Sequence, residues 1–259
     1  MLATKIENSQ PTQDYFNLIE NEINQAGKKG IGQIINIGSN LIESINACEV
    51  AKKFQNVFAT TAIHPCDCKE NWHDEFKTIT NLVEKKVENK IVAVGETGLD
   101  FYHKPFYVER QKDAFKAHIE LALKNNLPLV VHSRDASEEV LKTLEEYIKN
   151  GLRGVIHCFS HEKYLALTAL SWGFYLGIGA YITYPKNTDL RELIKNEIPV
   201  NKILLETDAP FLPPQEYRGK PNRPEYIPIF AKMIAELKNI DLKILEETTT
   251  INAKVLFDI

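Results

Sequence analysis

Seven short apolar runs recur along the chain with amphipathic stretches between them, and this alternation limits the fold more than any other feature of the sequence. The runs are QIINIG (33–38), VFATTAIHP (57–65), IVAVGETG (91–98), LPLVVHS (127–133), RGVIHCFS (153–160), FYLGIGAY (174–181) and KILLETDA (202–209). Each keeps formal charge out of its middle, as strands covered on both faces must. In the stretch 107–126, Phe115, Ile119, Ala122 and Leu123 share one helical face while lysines and glutamates occupy the rest. A second helix starts at Ser137 with acids in its first turn and stops at Gly151. The segments from about Leu41 to Phe54 and from about Glu225 to Lys238 have the same character. Strand followed by helix, repeated, is the βα unit of an α/β fold. No repeat or low-complexity linker divides residues 1–259, so one domain is expected.

A TIM-like (β/α) barrel needs eight strands, and seven are found. A polar segment and a helix, DYFNLIENEINQAGKKG, precede the first of them, so the strand expected to be lacking is the first. A layered α/β sheet also alternates strands and helices. Polar groups decide for the barrel, because they gather toward the C-terminal ends of five runs: His64, Glu96, His132, His157 and Asp208. In a barrel those ends converge on one mouth.

Imidazole and carboxylate are ligand types for zinc, manganese, nickel or magnesium, and an open coordination position would activate a water. A carboxylate after a buried strand, as at Glu96 and Asp208, is costly unless solvated, paired or coordinated. One strand-end histidine alone reads as a hydrogen-bonded core residue; the set points to a metal-dependent hydrolase. Glu206, two residues before Asp208, would face the same side of a strand and support the ligands. Arg218, Lys220 and Arg223 form a local basic loop suited to phosphate oxygens, and Tyr217 offers a ring for base stacking. Read blandly, the same loop is a solvated surface turn shaped by Pro213, Pro214 and Pro221.

The remaining composition narrows the class. A net charge of −4 gives no global attraction to nucleic acid, so any polyanion contact is local or carried by metal ions. Cys48, Cys66, Cys68 and Cys158 lack paired CxxC spacing and read as reduced thiols. The polar N-terminal segment has no apolar h-region and no later apolar run approaches the ~20 residues of a membrane span, so a cytoplasmic enzyme is expected.

VGETGLDFY (94–102), VVHSRDA (130–136), IHCFS (156–160) and LLETDAPFL (204–212) resemble, in order, the motifs of TatD-type metal-dependent deoxyribonucleases. AIHP (62–65) and YRGKPNRP (217–224) match two further elements of that family. The resemblance runs from about Ile34 to the C-terminus. It implies a TIM-like barrel, a pair of divalent metal ions and cleavage of DNA phosphodiesters, commonly as a 3′–5′ exonuclease. Carried over, it makes Glu96 the carboxylate bridging both metals, with His132 and His157 completing the second site. Asp208 then belongs to the first, where it orients a water and accepts its proton. His64 becomes a phosphate neighbour, and Tyr217, Arg218 and Arg223 substrate contacts.

The sequence departs from the family at one place. Its members open with a short strand ending in an HxH pair that ligates the first metal, and here no histidine precedes His64. The missing motif coincides with the missing strand. A late start at an internal methionine is the reading adopted, since losing a central strand would leave two barrel edges unpaired. As written, the first site keeps only Asp208 and Glu96. Two other functions stay open: an amidohydrolase acting on a small amide or ester, and an impaired remnant that binds a partner or nucleic acid. The GETGLD, LETDAPFL and RGKPNRP combination argues against the former; the missing HxH pair lends weight to the latter.

Overall fold

The computed structural model describes residues 11–160 and 162–259. The strand expected to be lacking, if its place is at the start of the chain, falls on residues 1–10, outside the described residues. In chain order the elements are α1 (Gln13–Lys28), β1 (Ile34–Gly38), α2 (Leu41–Lys53), β2 (Val57–Thr61), α3 (Trp72–Glu84), β3 (Ile91–Asp100), α4 (Val108–Lys124), β4 (Leu129–Arg134), α5 (Ser137–Ile148), β5 (Gly154–Ile156), α6 (Lys163–Ser171), β6 (Tyr175–Ile178), α7 (Thr188–Asn196), β7 (Ile203–Leu205), α8 (Ile227–Lys238) and α9 (Leu242–Phe257). All seven anticipated strands form; β3 extends two residues past its apolar run to Asp100, and the others are shorter than or shifted from theirs. None of the helices among the described residues is long and apolar enough to cross a membrane.

Two compact units divide the described chain. The first, Gln33–His157, holds β1 to β5, each pairing in parallel with the next. Val57, Ala59, Val94, Leu129 and Val131 are buried along these strands, and Phe115 and Ile119 of α4 are fully buried as well. The second unit, Asp14–Gly32 with Cys158–Ile259, holds β6 and β7 as a parallel pair. Its core includes Phe174, Leu176, Phe230 and Ile234.

Two irregularities in β3 set its chemistry. Gly95 pairs with Val130 and Thr97 with Val131, so Glu96 is an extra residue with no partner of its own on β4. Such a bulge re-aims a side chain out of the strand's regular alternation. Two residues on, Gly98 lies opposite His132 with φ +149°, and a Cβ there would overlap the His132 carbonyl. Only glycine lets the two backbones approach so closely.

The buried face of α4 matches the predicted one at Phe115, Ile119 and Ala122, and it also carries two polar residues, Gln111 and His118. Both act as clamps on strand ends. Gln111 Oε1 accepts from the Asp100 N–H at 2.9 Å, and its Nε2 donates to the Asp100 carbonyl at 3.0 Å. His118 Nε2 accepts from the Ile63 N–H at 3.0 Å, while Nδ1 donates to the Ala114 carbonyl at 2.7 Å. A single neutral tautomer satisfies both bonds. Burial pushes its pKa down from 6.5 to about 4, the hydrogen bond to Ala114 opposing. Protonation would set an N–H against the Ile63 N–H.

Three stability measurements follow from this geometry. Gly98→Ala should lower the unfolding free energy by about 2 kcal/mol or more, read from the urea midpoint. Gly27→Ala in α1, where an added Cβ meets nothing within 4 Å, should be neutral or mildly stabilising. The neutral His118 ring contributes stability that is complete above the ordinary imidazole pKa of 6.5 and is lost as pH falls toward about 4. Between about pH 7.5 and about pH 5 that component is on the order of 1–2 kcal/mol. The urea midpoint of His118→Gln should therefore fall less over that interval than that of the parent protein, and an equal fall would remove His118 from the account.

Candidate metal centre

The first unit gathers His64, Glu96, His132 and His157 around one carboxylate. Glu96, projecting from the bulge of β3, is buried. Its Oε1 accepts from His132 Nδ1 at 2.8 Å and lies 3.7 Å from His64 Nε2; its Oε2 lies 3.7 Å from His157 Nε2. The rings of His64 and His132 meet edge to face with centroids 4.3 Å apart. Burial opposes ionisation of Glu96, yet His157, His132 and His64 hold its carboxyl well below the usual carboxylate range.

His132 has a second partner that the sequence reading missed. Its Nε2 donates to Asp100 Oδ2 at 3.0 Å, and Asp100 is fully buried. The register explains the arrangement: His132 faces Gly98, and Glu96 and Asp100 stand two residues to either side of that glycine. One imidazole thus spans two carboxylates. Burial would lower the His132 pKa, but the hydrogen bonds to Asp100 and Glu96 prevail and raise it to about 9. Asp100 is itself held far below the usual range, against the cost of burial, by hydrogen bonds from His132 and His103. Its Oδ1 accepts from the N–H groups of Tyr102 and His103 at 3.0 and 2.8 Å, and His103 Nδ1 lies 2.9 Å from Oδ2. The signal in the sequence is an acidic residue closing GETGLD, two residues past the apolar run that ends at 98 and inside β3 in the structure.

His64 and His157 lie beyond the ends of their strands. β2 stops at Thr61, and His64 caps the short 3-10 turn Pro65–Asp67, its Nδ1 accepting from the Cys66 N–H at 3.1 Å. With Nδ1 engaged as acceptor, the neutral ring carries its proton on Nε2, the nitrogen facing Glu96. Burial keeps the ring neutral, lowering its pKa to about 4 despite Glu96. His157 follows β5 directly and is tied by its N–H to the Val131 carbonyl at 2.8 Å. Cys66, in the His64 turn, has its thiol pushed up to about 12 by burial and by Asp100.

The donor set fits a divalent cation. His64, Glu96 and His132 each offer a ligand atom within 4.8 Å of the others, and nitrogen with carboxylate oxygen suits zinc, manganese and related ions. His132 also has the carboxylate-to-imidazole hydrogen bond by which proteins orient metal-binding histidines.

Asp208, Tyr217, Arg218 and Arg223 belong to the second unit. Here the strand reading of residues 202–209 needs correction: β7 ends at Leu205, and Asp208 stands three residues further on in a left-handed conformation, φ +55°. Strand alternation therefore does not relate Glu206 to Asp208. Glu206 accepts from the Cys158 N–H and its carboxylate fills the space that a side chain on Gly177 would take. The turn after Asp208 is tied by Asn222, which donates to the carbonyls of Thr207 and Leu212. Tyr217 stacks on Tyr226 at 4.2 Å, Arg218 lies over the Tyr184 ring at 4.8 Å, and Arg223 approaches Glu22 and Glu225 at 3.7 and 3.6 Å.

Known proteins resemble this chain over nearly its whole length. Residues 8–258 match the model of the TatD related DNase family. A metal-dependent hydrolase of Buchnera aphidicola is 35% identical over 245 residues, covering 93% of this chain and 92% of the relative. The 3′-5′ ssDNA/RNA exonuclease TatD of Escherichia fergusonii is 33% identical over 242 residues, covering 92% of each. Among solved structures, the TatD homologue YjjV of Escherichia coli superposes with a TM-score of 0.89 at 27% identity, covering 96% of this chain and 95% of that one. The fold is accordingly of the TIM-like (β/α) barrel class. On the match of nearly its whole length, the chain belongs to the TatD family of metal-dependent hydrolases.

Proposed function

We propose that the protein is a divalent-metal-dependent deoxyribonuclease that shortens single-stranded DNA from its 3′ end. The observation that carries this reading is the Glu96 carboxylate ringed by imidazoles, one of them tethered to a second buried carboxylate. The name of the Escherichia fergusonii relative supplies the substrate class. Glu96, His132 and His157 would hold the cation, His132 through the nitrogen that now faces Glu96. When bound, a divalent cation acidifies water and withdraws charge from a phosphodiester.

The chain's own groups have separable tasks. Asp100 accepts from His132 Nε2–H and so keeps the Nδ1 lone pair directed toward Glu96 once that nitrogen gives up its proton. His64 presents Nε2–H, a donor, and we assign it to a phosphate oxygen instead of the metal. For Asp208, the resemblance supplies the role of accepting the proton of the attacking water. The exposed Arg218 guanidinium suits phosphate oxygens. Arg223, already close to two carboxylates, and Tyr217, already stacked on Tyr226, are assigned weaker substrate contacts.

The direct test is incubation of 5′-labelled single-stranded DNA with the metal-loaded protein. Progressive shortening from the 3′ end should appear, stop on addition of chelator and return with Mg, Mn or Zn. Loss of small amides or esters under the same conditions, with the DNA intact, would transfer the reading to an amidohydrolase.

Substitutions separate the roles. Asp100→Asn should weaken metal affinity about 10- to 100-fold. Glu96→Gln should lower kcat/KM by at least about 100-fold. His64→Gln, which retains a donor, should preserve metal affinity. Calorimetric metal titration reads the first and third, and unchanged affinity in Asp100→Asn would refute the relay.

A further inference from the structure

Beyond the Glu96 cluster the first unit holds a second convergence of metal-ligand atoms: Cys66, Asp100 and His103, with their donor atoms all within 4.8 Å of one another. We propose that these three side chains form a separate site for a thiophilic divalent cation of the zinc type, open to solvent on one side. It is a sulfur, nitrogen and oxygen set, whereas the Glu96 cluster offers nitrogen and oxygen alone.

Three features favour an ion here over a chance encounter of polar groups. First, the ligands arrive on fixed backbone. Cys66 sits in the turn Pro65–Asp67, held by its own N–H to His64 Nδ1 and by the Asp67 N–H to the His64 carbonyl at 2.9 Å. Asp100 is clamped through its peptide by Gln111 and through Oδ1 by the N–H groups of Tyr102 and His103. A metal ligand whose other oxygen is hydrogen-bonded is oriented before the ion arrives.

Second, the spacing is right. His103 Nδ1 and Asp100 Oδ2 are 2.9 Å apart. In a tetrahedral zinc site with bonds of ~2.0–2.1 Å, neighbouring nitrogen and oxygen ligands stand roughly 3.3 Å apart. A small turn of the His103 ring supplies the difference, and that side chain is free to make it, being 61% exposed. The ion would replace the proton now shared by these two atoms, and the Cys66 thiol would release its proton to solvent on binding.

Third, the polarity of the mouth suits entry. Asp100 lies at the bottom, fully buried, while Cys66 and His103 are exposed above it. Three protein ligands with a solvent-facing fourth position is the pattern of an open zinc site. Oδ2 of Asp100 also accepts from His132 Nε2, so the carboxylate that would ligate this ion also orients an imidazole of the Glu96 cluster.

Cobalt(II) distinguishes the sites, because thiolate ligation gives an intense near-ultraviolet charge-transfer band that nitrogen and oxygen ligands do not. The metal-stripped full chain is titrated with cobalt(II) and then with zinc(II). The band should rise to saturation, bleach as zinc displaces cobalt, persist in Glu96→Gln, and disappear in Cys66→Ser and in His103→Ala. Both of the latter residues are exposed, and unchanged thermal midpoints in the metal-free variants verify their folding. Absence of the band in the parent protein overturns the proposal. So does a band that survives Cys66→Ser, which assigns it to another cysteine, or one that vanishes in Glu96→Gln, which assigns the thiolate to the Glu96 cluster.

Discussion

His132 lying between Glu96 and Asp100 is the interaction on which the rest of the centre depends. Two buried carboxylates a few residues apart on one strand repel each other and lose their hydration, and each would be costly alone. A single imidazole hydrogen-bonded to both offsets much of that cost and fixes its own orientation at the same time. The ring has no rotational freedom left. A cation held beside Glu96 as proposed would meet, once Nδ1 loses its proton, an imidazole already oriented by Asp100.

That arrangement is produced by backbone features as much as by side chains. The bulge at Glu96 and the glycine at 98 bring β3 against β4 so that His132 fits between the two acids. α4 then fixes the ends of two strands from behind. Gln111 holds the Asp100 peptide and His118 holds the Ile63 peptide, next to His64. Polar residues inside a helix-to-sheet interface are ordinarily a liability; here each is fully satisfied by a backbone partner and converts packing into position. Mutations at Gln111 and His118 would thereby reach the centre through the peptides they clamp.

Membership of the TatD family, the nearly full-length likeness to a TatD homologue of known structure and the donor set of the Glu96 cluster all bear on hydrolysis with a metal ion. They carry different weights for substrate. A metal centre of this composition serves phosphodiesters, amides and esters alike. Within the first unit, His64 beside Glu96 presents a hydrogen-bond donor suited to an anion. Cys66 and His103 add a chemistry outside that pattern.

Much was legible in the sequence because it is local. Alternating apolar and amphipathic segments fix strands and helices through periodicity, and all seven strands and the main helices appear where that periodicity puts them. Glu96, His132 and His157 stood out because charge or imidazole beside a buried strand demands a partner. The partners themselves are nonlocal. Only the packed chain decides that Asp100 supports His132, that His64 keeps its proton on Nε2, and that Gln111 and His118 clamp strand ends. Asp208 shows the converse: a two-residue period inferred from sequence fails because β7 stops at Leu205 and the backbone turns left-handed. Sequence determines which groups must find partners, since burial and charge belong to each residue; tertiary structure decides who the partners are, since bulges, strand register and close backbone approach depend on chains distant in sequence meeting.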